Sequence, residues 1–142
     1  MPSLHYNVKA VRAVSPVAIG TTGTGKTSAA IDRSGYLGVE VIVDYGTVTA
    51  TNAAFTLLLT EADTTNGSFT SVADEDLNGT EAAAGLAAAA TRTSGVSKNV
   101  TKQVGYLGIK KYLKAKISST VTAGTPVGVT FLLHTPRHAP AA

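Results

Sequence analysis

Between Gly38 and Tyr45 every second residue is apolar: Val39, Val41, Val43 and Tyr45 fall on one side, with Glu40 and Asp44 on the other. A strand turns successive side chains to opposite faces, and β-branched residues favour that geometry over a helix. An apolar strand face must be covered by a second layer, so this run already points to sheets packed face to face. Comparable runs occur at Ala54–Glu61, Ser68–Val72, Lys98–Val104, Tyr106–Ile117 and Pro126–His134. Breakers lie between them: Gly46, Asn66-Gly67, Asn78-Gly79 and Gly105. Asn-Gly pairs tolerate the positive φ angles of tight turns, which predicts a hairpin across 62–67 and a second surface turn at 78–79. In the Tyr106–Ile117 run, Ile109, Leu113, Ala115 and Ile117 are expected in the core, opposite Lys110, Tyr112, Lys114 and Lys116. The alanine-rich stretch from Glu81 to Ala90 lacks a wide amphipathic stripe and contains Gly85, so it is expected to be a loop with at most a helical turn. Six or seven short strands with no substantial helix predict an all-β fold, an antiparallel β-sandwich of jelly-roll or immunoglobulin-like connectivity.

A chain of 142 residues is one domain by length and large enough to bury a core. The expected organisation is an extended N-terminal arm over 1–27, a sandwich over 28–134 and a short tail over 135–142, kept out of ladders by Pro136 and Pro140. There is no cysteine, which excludes disulfide staples and thiolate metal sites. No apolar run approaches the ~20 residues of a membrane helix, and the first residues lack the layout of a secretion signal, so a soluble, unexported chain is expected. Charged residues make up 15% of the sequence and aromatics 6%, leaving a surface dominated by Thr, Ser, Gly and Ala. Such surfaces suit proteins held against copies of themselves or other partners. A net charge of +3 without dense Lys/Arg patches argues against a nucleic-acid binder.

Gly20-Thr21-Thr22-Gly23-Thr24-Gly25-Lys26-Thr27 satisfies the phosphate-binding P-loop pattern. A working P-loop needs a buried strand before it and a helix after it, because the helix N-terminus and backbone N–H groups hold the phosphates. Only Thr27–Ile31 follows Lys26 before Asp32-Arg33-Ser34-Gly35, too little for a packed helix. The match is therefore expected to be fortuitous, and an NTPase is the remote alternative. Asp74, Glu75 and Asp76, with Glu61 and Asp63, supply oxygens but no calcium-loop spacing. His5, His134 and His138 show no metal-ligand spacing, and no serine sits on a nucleophile elbow. No metal, cofactor or catalytic residue is expected, and the protein is expected not to be an enzyme. The sequons at Asn66, Asn78 and Asn99 are explained by turns and Thr-rich strands. Lys110, Lys114 and Lys116 form a basic strand face, with the last two about 7 Å apart. They suit phosphates or a carboxylate-bearing neighbour, but a solvated face whose lysines protect a strand edge against stray pairing is the favoured reading.

Asp32-Arg33-Ser34-Gly35-Tyr36, Asp44-Tyr45-Gly46-Thr47, Phe55–Asp63 with Phe69–Val72, Asp76-Leu77-Asn78-Gly79, Val104–Leu113 and Thr135–Pro140 form a set of strands and turns. Together they resemble a family of small structural proteins of tailed bacteriophages and prophages. The likeness covers roughly 32–80 and 100–140. It implies a virion component, a capsid decoration (cement) protein on the outside of the head, assembled in the bacterial host's cytoplasm. It also implies the major capsid protein as partner, with no nucleic acid and no membrane. A homotrimer would gain from multivalent attachment, each further contact strengthened by effective concentration. The expected contacts are Leu4, Tyr6, Val8 and Val11 on the arm and Lys110, Lys114 and Lys116 on the basic face. The alternative from a different class is a receptor- or carbohydrate-binding fibre domain, against which stands the absence of tryptophan.

Overall fold

The computed structural model describes residues 7–18, 25–46, 54–85, 100–119 and 126–136. These residues form two antiparallel sheets packed as a sandwich. The strands are β1 (Val8–Ala18), β2 (Gly25–Thr27), β3 (Ile31–Asp32), β4 (Tyr36–Tyr45), β5 (Phe55–Ala62), β6 (Thr70–Ser71), β7 (Leu77–Asn78), β8 (Val100–Tyr106), β9 (Tyr112–Ser119) and β10 (Pro126–Pro136), with one turn of helix, α1 (Glu81–Ala84). One sheet runs β1-β10-β4-β8-β7; the other runs β2-β9-β5-β6, with β3 also on β9. The N-terminal half thus pairs with the C-terminal half as a rolled hairpin, β1 with β10, β2 and β3 with β9, and β4 with β8. That nesting is the jelly-roll connectivity, which resolves the choice left open by the sequence.

The alternation seen at 38–45 sets the core. Val39, Val41, Val43, Val129, Phe131 and Val104 from one sheet face Leu59, Leu113, Ala115 and Ile117 from the other, all essentially inaccessible to water. Each fully buried side chain of this size contributes roughly 1.5–3 kcal/mol of transfer free energy. The Tyr45 ring lies 5.6 Å from that of Phe55, and its hydroxyl donates to the Ala84 carbonyl at 2.7 Å, so this buried phenol is satisfied.

The short elements close strand edges. α1 is capped by Thr80, whose hydroxyl accepts from the Ala83 N–H at 3.0 Å. It places the Glu81 carboxylate on the Leu59 N–H at 2.6 Å, a donor of β5 where β6 has ended. On β9, the gap between β2 and β3 is bridged by Ser28. Its N–H donates to the Ala115 carbonyl at 2.8 Å and its Oγ accepts from the Ala115 N–H at 3.0 Å, replacing a missing ladder pair.

Several expectations are corrected. The extended arm expected over 1–27 is, in its described parts, built into the body: Val8–Ala18 is the edge strand beside β10, and Gly25–Thr27 pairs with β9. Its loose alternation was diluted by two register irregularities, between Arg12 and Val14 and between Val14 and Val17. The ten strands among the described residues exceed the six or seven expected because β1 was read as an arm and β2, β3 and β7 are two or three residues long, too short to show a period. The break near Gly105 falls instead at 107–111, and Ile109 is 88% exposed rather than core. The tail begins later than Thr135, since Pro136 still pairs with Tyr36 at the end of β10, where a missing N–H is tolerated. The hairpin across 62–67 is present, with Thr60 opposite Ser71. Its turn is closed by the Gly67 N–H on the Thr64 carbonyl without positive φ, whereas Gly79 does adopt φ 100°.

Candidate functional site

Four connections meet at one end of the sandwich: 33–35 between β3 and β4, the 63–69 hairpin loop, the 3-10 turn Asp74–Asp76, and 107–111 between β8 and β9. The last is held at five points. The Leu107 N–H donates to the Asp76 carbonyl at 2.7 Å and the Arg33 N–H to the Lys111 carbonyl at 3.0 Å. The Lys110 N–H donates to the Tyr106 hydroxyl at 3.1 Å, and the Arg33 Nε donates to the Lys110 carbonyl. The Lys110 ammonium pairs with Asp63 at 2.9 Å.

Beneath the loop lies a polar network. Arg33 is 5% exposed, gives Nη1 to the Tyr36 carbonyl at 2.9 Å, and carries its guanidinium carbon 5.5 Å from the centre of the Tyr106 ring. The fully buried Tyr106 donates its hydroxyl to Oε2 of the buried Glu61 at 2.6 Å. Burial first, and the bond to Glu61 second, push the Tyr106 phenol well above its ordinary value, so it remains a neutral donor. Gly108 rests on this ring: a Cβ there would collide with the Tyr106 hydroxyl and its ring carbon.

On this rigid base the loop displays large apolar side chains to water. Ile109 is 88% exposed, Leu107 56%, and Leu37 at the start of β4 52%. Ordered backbone under exposed apolar groups is the arrangement of a contact surface, since ordering costs are met before binding. Beside Ile109 is a notch of about 150 Å³ lined by Arg33, Ser34, Gly35, Tyr36, Ile109 and Lys111.

Among the expected contact residues, Lys110 belongs to this end, with its charge matched by Asp63. That bond, followed by the nearby Asp63 charge, raises its pKa. Lys114 and Lys116 lie on the outer face of β9, with the Lys114 ammonium 4.3 Å from the Phe69 ring centre. β9 is flanked by β5 on one side and β2 and β3 on the other, so these lysines guard no free edge. Val11 packs against the core and Val8 is half-buried opposite His134. Leu4 and Tyr6 lie outside the described residues, as do His5, His138, Asn99 and residues 20–24.

Lys26 sits in a strand, opposite Ile117, and the chain continues into β3 rather than a helix. Glu61 is committed to Tyr106 and Asp63 to Lys110, so the acidic residues expected near one another are separated in role. Among the described residues no group of three or more His, Asp or Glu side chains is placed to hold a metal. The pinned loop escaped the sequence because Ile109 falls on the same alternating face as Leu113, Ala115 and Ile117, although Lys111 between them interrupts the apolar series. The signal that could have found it is Gly105-Tyr106-Leu107-Gly108, two breakers around a short apolar pair.

Neither a protein-family model nor the sequence of a curated protein matches the chain. Solved structures with a similar fold include viral capsid proteins and carbohydrate-binding proteins. The VP2 subviral particle of infectious bursal disease virus aligns at 12% identity and a TM-score of 0.49, over 92% of this chain and 32% of that one. A subunit of the disulfide-linked pili of Bacillus endospore appendages aligns at 9% identity and 0.40, over 96% of both chains. The xylanase 10B CBM22-1-GH10 modules of Clostridium thermocellum align at 13% and 0.45, over 99% of this chain and 29% of that one. The chain spans about a third of the length of the first and of the third. These likenesses concern the β-sandwich fold alone.

Proposed function

We propose that the protein is a structural virion component, a decoration protein on the outer surface of a tailed-phage head that reinforces the shell without catalysis. The observation that carries this reading is the pinned 107–111 loop, which holds Leu107 and Ile109 in water at 56% and 88% exposure. Apolar groups held rigidly in solvent gain free energy when a partner covers them, and little conformational entropy is lost. The resemblance over 32–80 and 100–140 supports the phage setting. The jelly roll is compatible with it, although a fold alone does not assign function.

The gripping element is the loop end of the sandwich, since β1 is committed to the body. Three copies associated as a trimer would bring three such ends to neighbouring capsomers, and binding to the assembled shell stabilises it by linkage. A carbohydrate-binding role has less support. The half-exposed rings of Phe69 and Tyr112 already carry lysine ammonium groups 4.3 and 5.3 Å from their centres, where a sugar would stack. Lys26, on a strand, gives the nucleotide alternative no helix N-terminus.

Co-sedimentation of the purified protein with expanded phage heads tests the proposal. The wild type is expected to pellet with the heads and a Leu107→Ser, Ile109→Ser double variant to stay in the supernatant while remaining folded. Equal pelleting of both, or none of the wild type, overturns it.

A further inference from the structure

The notch beside Ile109 is rich in donors and poor in acceptors. Arg33, 95% buried by its 5% exposure, spends Nε on the Lys110 carbonyl and Nη1 on the Tyr36 carbonyl. Among the described residues it has no carboxylate within ion-pair distance, and its cation faces the Tyr106 ring. Lys111, also lining the notch, likewise rests its ammonium 5.3 Å from the Tyr112 ring centre. Between them Arg33 to Tyr36 form a tight turn, closed by the Tyr36 N–H on the Arg33 carbonyl, with Gly35 at φ 89°. In that turn the Ser34 N–H is taken by the Asp32 carboxylate, while the Gly35 N–H has no partner among the described residues.

The local acids do not fill this need. The Asp32 carboxylate is occupied by the Ser34 N–H at 2.8 Å and the Ser34 hydroxyl. Burial works against its ionisation, yet those two bonds, helped by the Lys111 and Lys9 charges, hold its pKa below the ordinary value. Glu61 accepts from Tyr106, and Asp63 from Lys110. The residues that carry an unspent backbone donor, a buried guanidinium and an exposed ammonium therefore line one notch of about 150 Å³ together with Ile109 and Tyr36. Charge-assisted bonds to a carboxylate are the strong ones available to such a set.

We propose that this notch receives the carboxylate of an acidic residue on a partner protein, with the apolar neighbour of that residue lying against Ile109. The identity of the partner as a shell subunit rests on the decoration reading; the carboxylate specificity rests on the notch itself. A partner segment of alternating apolar and acidic residues is the chemistry that fits, the apolar residue covering Ile109 and the acid reaching Lys111 and the turn.

The test uses the isotope-labelled full chain, titrated by NMR with acetyl-Ala-Leu-Asp-Leu-Ala-amide, its Asp→Asn analogue, and sodium acetate. The acidic peptide is expected to shift the amides of 33–36 and 109–111, and Lys111→Glu to weaken it about tenfold, as reversal of an exposed charge allows. The Asn analogue should lose binding, and acetate should move the same amides at higher concentration. Lys111→Met, which removes the charge without adding one, should fall between. The proposal is overturned by no shift at these amides up to about 10 mM peptide, or by shifts that survive both Asp→Asn and Lys111→Glu. Wild-type pelleting with heads while the peptide ignores the notch removes this inference alone. Peptide binding without head binding upholds it and removes the decoration reading.

Discussion

Replacing Tyr106 with phenylalanine keeps the ring that Arg33 and Gly108 pack against and removes one oxygen. That oxygen donates to Glu61 at 2.6 Å and accepts from the Lys110 N–H at 3.1 Å. Loss of a bond to a charged, buried carboxylate costs about 1.5–3 kcal/mol, and a part-buried N–H left alone costs about 1 kcal/mol. The sum is about 2–4 kcal/mol, with water entry toward Glu61 setting the lower end. At roughly 3 °C per kcal/mol for a domain of this size, Tm should fall by about 6–12 °C. Urea unfolding followed by circular dichroism measures the first quantity and calorimetry the second. Hydrogen exchange should show faster exchange at 107–111, with the core strands retaining their order relative to one another. Tyr45→Phe is the internal control, losing one neutral bond to Ala84 and about 1 kcal/mol. The network reasoning is refuted if Tyr106→Phe costs less than Tyr45→Phe, or leaves exchange at 107–111 unchanged.

Gly108→Ala should destabilise by about 1–3 kcal/mol, because its Cβ meets the buried Tyr106 phenol; chemical unfolding checks this, and a neutral result would mean the loop can lift off the ring. Glu81 has its pKa raised, by burial first, against the lowering bond from Leu59 and with a raising contribution from Asp74. A raised folded-state pKa means that stability from this group is present below the unfolded value and lost as pH rises through the folded one. Glu81→Gln should therefore show a smaller loss on going from acidic to neutral pH than the wild type, read from unfolding midpoints across that range. Lys26→Ala changes an exposed strand position, so stability should move by no more than about 0.5 kcal/mol, and calorimetry with ATP and magnesium should give no heat for either protein.

The sandwich was legible because strand faces with strict alternation have one physical explanation. Val39 to Tyr45 and Leu113 to Ile117 were assigned to the core from period alone, and they are buried. The two-residue strands β3 and β7 were not legible, since pairing of so few residues is decided by neighbours rather than local pattern; β6, equally short, was found through the hairpin turn before it. β1 was obscured by its bulges and Pro16, devices that suit an edge strand and also erase its signature. Of the site, Lys110 was singled out, but as part of a basic face. Its partner Asp63, and the Arg33, Tyr106 and Glu61 network, join residues up to 77 positions apart, which no local pattern reveals. Ile109 misled because a pinned loop can mimic strand alternation while pointing outward.

The most direct test is an electron cryo-microscopy reconstruction of phage heads saturated with the protein, at a resolution that places individual loops. The account predicts that Leu107, Ile109 and the 33–36 turn are buried against the shell, with an acidic residue of the shell protein at the notch. A bound protein whose 107–111 loop faces solvent, with β1 or the Lys114 and Lys116 face seated on the capsid instead, would contradict it.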